Sequence, residues 1–230
     1  MIKNLRIHES LPSGDYEHCL LIVQSGQMSR YDEGGAFQEL ELYNHLEESL
    51  KREKVGVFRF DFPERKDLSS PVLDEEYGKR LDRLQRVLSI VKEKVDDNQS
   101  ITLMGMSLGA DLIMDLINTL SYKVSIILIG SVIFEEIHIP AFIESVSLIY
   151  GSEDYISLEE EVTMESLIKP ETYGVDSLNN IEWGKDPALV ILKGLGHSLD
   201  VNQLEYDDPV KALSDLILRR ELRESKCKEI

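Results

Sequence analysis

Short runs of β-branched and other apolar residues alternate along this chain with longer stretches whose apolar residues recur every three or four positions. An apolar run with no polar alternation is a strand buried on both faces, and that burial needs helices above and below a parallel sheet. Cys19 to Gln24, Val55 to Phe60, Ile101 to Gly105, Val124 to Gly130, Val146 to Tyr150 and Leu189 to Leu192 read as such strands. Between them, Phe37 to Arg52 places Leu40, Tyr43, Leu46 and Leu50 at helical spacing. Glu75 to Val95 makes one apolar stripe from Leu81, Leu84, Val87, Leu88 and Val91, with its charges elsewhere. Leu108 to Tyr122 and Asp208 to Arg223 complete the helices. The last has Asp207, Asp208 and Pro209 at its start, and Arg219 and Arg220 near its far end. The pattern predicts an α/β fold with a mostly parallel central sheet and helices on both faces.

A chain of 230 residues suits one domain over 1–230, able to bury roughly 70% of its unfolded surface. Twenty-five Lys and Arg against 43 Asp and Glu leave a net charge of −18, which repels phosphate backbones and anionic lipid, so neither nucleic acid nor a membrane surface is an expected partner. The uncharged stretches fall short of the roughly 18 apolar residues that a membrane span needs. Met1 to Ile7 carries charges where a signal peptide has its apolar core, and reads as an untargeted first strand. Two cysteines, Cys19 in an apolar run and Cys227 in a charged tail, fit a reducing compartment, and a cytoplasmic protein is expected. Ser157 to Ile168 reads as a short surface helix, and its run Glu159-Glu160-Glu161 as a solvated face. Lys169 to Asp186, with Pro170, Gly174, Asn179, Asn180 and Gly184, reads as an unpatterned loop. Its Tyr173 and Trp183 either pack against the sheet edge or wall a pocket.

Gly105-Met106-Ser107-Leu108-Gly109 lies between a buried strand and an amphipathic helix. A serine at such a junction is forced into a tight, strained turn that exposes its hydroxyl, and flanking side chains would collide with neighbouring backbone, which explains the glycines. Serine at neutral pH needs a histidine base and a carboxylate that orients it. At a nucleophile elbow these follow in the order Ser, acid, His. His8, His18 and His45 precede Ser107, and His138 precedes the strand expected to carry the acid. That leaves His197, just beyond the last strand. The acid lies in Tyr150-Gly151-Ser152-Glu153-Asp154, where Asp154 fits better than its neighbour Glu153 because the turn needs about three residues to swing a carboxylate toward the histidine.

With these residues the chain resembles the α/β-hydrolase family over nearly its whole length: strand order, serine elbow, an acid loop of the form G-x-x-D and a late histidine. The resemblance implies an oxyanion hole built from two backbone N–H groups. Those are the N–H of Leu108 and, in Gln24-Ser25-Gly26-Gln27, that of Gln27. Ser25-Gly26 stands where the family often has His-Gly, and Asp61 to Ser70 lacks the glycines usual in its loop. Many members insert a lid before the acid strand. Gly130 to Ser145 is too short for a helical one.

Gly194-Leu195-Gly196 matches half of a dinucleotide fingerprint, but Leu199 occupies the third glycine position. With no P-loop lysine motif and no His-Glu-x-x-His, neither NAD, ATP nor zinc is supported, and no cofactor is expected. The expected activity is cleavage of a small or medium, neutral carboxylic ester or thioester through an acyl-enzyme, with Ser107, His197 and Asp154 as the catalytic residues. Serine peptidase or acyltransferase chemistry stays open, as does a non-catalytic binding or regulatory role on the same fold.

Overall fold

The computed structural model describes residues 5–32, 37–64, 72–96, 98–159, 162–197, 199 and 207–219. Its elements follow in the order β1 (Ile7–Ser10), β2 (His18–Val23), α1 (Phe37–Arg52), β3 (Val55–Phe60), α2 (Asp74–Lys94), β4 (Ser100–Met106), α3 (Leu108–Ile117), β5 (Val124–Ile129), β6 (Ile137–His138), β7 (Ile143–Gly151), β8 (Ile156–Ser157), β9 (Leu167–Ile168), α4 (Pro170–Asn179), β10 (Ile181–Glu182), β11 (Ala188–Leu192) and α5 (Pro209–Ile217). Seven strands form one sheet in the order β1-β3-β2-β4-β5-β7-β11. All pairings in it are parallel except that of β1 with β3.

Side-chain alternation divides each central strand between two cores. Cys19, Leu21 and Val23 of β2 face the core shared with α2 and α3, while Leu20 and Ile22 face the core shared with α1 and α5. In β5, Val124, Ile126 and Leu128 take the first side, and Ile127 and Ile129 the second. Both faces are therefore dry, which is why these strands show no polar alternation. Asp74, Glu75 and Glu76 in the first turn of α2, with Lys92 and Lys94 in its last, complement the helix dipole. The carboxylate of Asp208 accepts from the N–H of Lys211 at 3.1 Å, capping α5 ahead of Pro209.

Five expectations change. Among the described residues the first strand is Ile7–Ser10, and Leu5 and Arg6 precede it; the rest of the expected strand, residues 1–4, lies outside the described ones. Helix α3 stops at Ile117, where the N–H and hydroxyl of Thr119 both bond the carbonyl of Leu116. No helix forms in the described part of 157–168. Instead β8 and β9 pair antiparallel, because the hydroxyls of Ser157, Thr163 and Ser166 bond nearby backbone and one another and so compete with a helix, while Leu158, Val162 and Met164 remain exposed with no face to dock. Lys169 to Asp186 is not an unpatterned loop either. It holds α4 and β10, and Gly174 lies where a Cβ would come within 3.1 Å of both Tyr150 and Leu189, so it is a packing glycine rather than a break. Helix α5 ends at Ile217, and residues 220–230, including Cys227, lie outside the described ones.

Between β5 and β7 the chain forms only the two-residue β6, parallel to β10, so the sheet has no lid there. No helix among the described residues is long and apolar enough to cross a membrane. The sheet and α3 touch backbone to backbone at Gly109, where a Cβ would lie 2.1 Å from the carbonyl oxygen of Val23. Gly109→Ala is therefore expected to cost about 3 kcal/mol in urea unfolding. The same change at Gly184, where a Cβ meets nothing within 4 Å, should stay within about 0.5 kcal/mol. Equal midpoints for the two variants would contradict this packing.

Candidate active site

Ser107 joins β4 to α3 with φ 51° and ψ −122°. This is backbone that a non-glycine residue adopts only when its surroundings impose it, at a cost of about 1–3 kcal/mol. The surroundings are visible. The N–H of Ser107 donates to the carbonyl of Ile129 at 2.8 Å, and its own carbonyl accepts from Ala110 and Asp111 as the first turn of α3. A Cβ on Gly105 would lie 2.5 Å from the backbone of Gly109, so the elbow tolerates no side chain on either side. Leu108 opens α3, and its N–H has no acceptor within the helix.

Acid and histidine loops are clamped together. Ser152 N–H donates to the Leu192 carbonyl at 2.8 Å, Glu153 N–H to the Leu195 carbonyl at 2.9 Å, and Gly194 N–H to Ser152 Oγ at 2.8 Å. A Cβ on Gly151 would overlap the carbonyl of Leu195, at 2.0 Å. Within this clamp Asp154, only 6% exposed, presents both carboxylate oxygens to Nδ1 of His197 at 3.0 and 3.1 Å. Glu153 instead points outward to the hydroxyls of Ser152 and Tyr155. The hydrogen bond to Asp154 raises the His197 pKa above the ordinary imidazole value. Partial burial opposes that rise, and the charges of Asp154 and Glu39 add to it.

The imidazole lies so close to Gly130 that a Cβ there would be 2.6 Å from Cε1 of His197. Gly130 has φ +61° and follows Ile129, the residue whose carbonyl holds the N–H of Ser107. The structure thus brings His197 to the strand end beside the serine. It joins Asp154 to His197, but it forms no hydrogen bond between His197 and Ser107 Oγ among the described residues, a link that often tightens only with substrate bound. The N–H of Gln27 bonds Ser25 Oγ at 3.3 Å, and Gly26 abuts the side chain of Leu108.

Tyr173 is buried on α4, donates to the carbonyl of Asp154 at 2.6 Å and packs edge-on against Tyr150. It braces the acid loop from behind. Trp183 packs against the core, with the Lys185 ammonium over its ring. Sequence reasoning missed the roles of Tyr173 and Gly130. A glycine directly after a buried strand, at the level of the elbow, was the available sign for the second.

No protein-family model matches the sequence, and no curated protein does. Solved structures do. An α/β serine hydrolase without a lid from Xanthomonas campestris is 18% identical, over 96% of this chain and 91% of that one, with TM-score 0.61. Est1E from Butyrivibrio proteoclasticus, solved with ferulic acid bound, is 15% identical over 94% and 93%, with TM-score 0.56. A thioesterase domain from the curacin biosynthetic pathway is 14% identical over 93% and 94%, with TM-score 0.56. At these identities the likeness is one of architecture, and this chain has the α/β-hydrolase fold in a lidless form.

Proposed function

We propose that the protein is a serine hydrolase that cleaves small or medium carboxylic esters or thioesters through an acyl-enzyme. The observation that carries this reading is the pairing of a strained, glycine-flanked Ser107 with an Asp154–His197 hydrogen bond at the same end of the sheet. In the proposed mechanism Ser107 Oγ attacks the acyl carbonyl while His197 Nε2 takes its proton. The tetrahedral oxyanion is held by the N–H groups of Leu108 and Gln27. Collapse expels the alcohol or thiol, protonated by His197, and water then repeats the sequence to release the acid. Asp154 fixes the imidazole with Nδ1 protonated, leaving Nε2 free to act as base, and stabilises the imidazolium. A similar fold that binds ferulic acid, a carboxylic acid, and another that is a thioesterase domain support the substrate class. The lidless β5–β7 connection and the charge of −18 favour short, neutral acyl groups over long lipids or anions. The departure of Ser25-Gly26 from the family's usual loop is what suits the alternative, a binding protein that has kept the fold.

A panel of p-nitrophenyl esters and acyl thioesters separates the two. Turnover that disappears in both Ser107→Ala and His197→Ala is the expected result; a wild type inert to every acyl donor would leave the binding role. The acid carries a second expectation. Asp154→Asn should lower kcat by up to about 10⁴-fold, whereas Glu153→Gln should stay near wild type, and the reverse ranking would move the acid to Glu153.

The pH profile follows from the direction of the His197 shift. A general base must be neutral, so kcat/KM rises with pH as the imidazolium loses its proton. Because Asp154 raises that pKa, the acidic limb of the wild type should lie above the unperturbed value of about 6.5. In Asp154→Asn it should move to lower pH even as the plateau falls. A limb that stays in place would show that Asp154 is not coupled to the titrating group.

A further inference from the structure

Two charged side chains near the elbow belong to no step of the proposed mechanism. Arg80 on α2 is 1% exposed, and Glu39 on α1 is 2% exposed. Ions are rarely buried unless hydrogen bonds compensate for their lost hydration, and both direct hydrogen bonds to one four-residue turn. That turn, Ser25 to Met28, is closed by the N–H of Met28 donating to the Ser25 carbonyl at 3.3 Å. Arg80 Nη1 donates to the Ser25 carbonyl at 3.2 Å, and Nη2 to the carbonyls of Gly26 at 3.3 Å and Met28 at 3.1 Å. The ring of Phe62 lies 4.6 Å from its guanidinium carbon. On the opposite side, Glu39 accepts from the N–H of Ser25 at 2.8 Å, from its hydroxyl at 2.5 Å and from Tyr43 at 2.7 Å.

In a trans peptide the C=O and N–H point opposite ways. Drawing the carbonyls of Ser25 and Gly26 toward Arg80 therefore turns the N–H groups of Gly26 and Gln27 away from it, toward the side of the turn occupied by Glu39. Gly26 packs on Leu108, so the turn lies beside the first N–H of α3. Ser25 Oγ donates to Glu39, so its lone pairs receive the Gln27 N–H, at 3.3 Å. This bond is at the long end of the range, and a charged oxygen would displace it.

We infer that Arg80 and Glu39 are positioning residues that clamp the turn Ser25–Met28 from its two sides, holding its N–H groups toward the oxyanion formed at Ser107. The inference rests on the hydrolase reading proposed above. The clamp acts through the turn and touches no reacting atom. Its effect belongs to the transition state, where the oxyanion exists, and not to ground-state binding.

The test compares Arg80→Met, Arg80→Lys and Glu39→Gln with Lys79→Met, which removes an exposed charge from the neighbouring position of α2. Arg80→Met should lose about 100-fold in kcat with KM within about twofold of wild type. Its affinity for a trifluoromethyl ketone analogue of the best substrate, which forms an oxyanion on Ser107, should fall in step with kcat/KM. Arg80→Lys, which keeps the charge but cannot span three carbonyls, should recover part of the loss. Glu39→Gln should fall between them, and Lys79→Met should match wild type. The acidic limb set by His197 should stay in place in the Arg80 variants, which a general loosening of the site would not allow. If Arg80→Met does not fold, Arg80→Lys and Glu39→Gln carry the same comparison. An active wild type whose Arg80→Lys and Glu39→Gln variants keep both kcat and analogue affinity overturns the clamp alone. A wild type that turns over no ester or thioester overturns the hydrolase reading and the clamp with it.

Discussion

The junction between β4 and α3 is the constraint on which the rest of the site depends. A parallel sheet delivers its strand ends to one edge, and a helix that starts immediately after β4 must turn within one residue. Ser107 makes that turn at φ 51°, held by the Ile129 carbonyl on one side and by the close approach of Gly105, Gly109 and the end of β2 on the other. Strain of about 1–3 kcal/mol is small beside the burial of two apolar cores, so the fold can impose it. The serine is aimed because the sheet and helix leave it no other conformation.

Around that point the protein uses backbone contacts far more than side-chain pairs. The acid loop after β7 and the histidine loop after β11 are joined by three hydrogen bonds from peptide and hydroxyl groups, and Gly151 allows them to meet at van der Waals distance. Tyr173 reaches from α4 to the carbonyl of Asp154, and Gly130 provides the bare surface against which the imidazole rests. A carboxylate held this firmly can fix one tautomer of His197, which is what base chemistry at Ser107 asks of it.

Much of this was legible in the sequence, for identifiable reasons. Val55 to Phe60 matches its strand residue for residue because both of its faces are dry, and Phe37 to Arg52 matches its helix because one face alone is. That Asp154 rather than Glu153 faces His197 followed from the reach of a tight turn. Other features were hidden. In 157–168 the apolar residues mimic a helix but stay exposed, and hydroxyl-to-backbone bonds decide the conformation. In α4, Gly174 looks like a break until Tyr150 is seen against it. Arg80 falls among the charges that the sequence pattern sets off the α2 stripe, and nothing in the pattern marks Glu39, although each is in phase with its apolar stripe: Arg80 with Leu84, Val87, Leu88 and Val91, Glu39 with Leu42, Tyr43, Leu46 and Leu50. A charge in phase with a stripe is a buried ion in search of partners, and only the folded chain shows that the partners are a loop.

The central claim is that Ser107 is a nucleophile activated by His197, and a covalent probe tests it most directly. Reaction with a fluorophosphonate, followed by intact-mass and peptide mass spectrometry, should place one adduct on the peptide containing Ser107. That adduct should be absent in Ser107→Ala and form far more slowly in His197→Ala. An adduct at another residue, no adduct in the folded wild type, or equal labelling of wild type and His197→Ala would contradict the account.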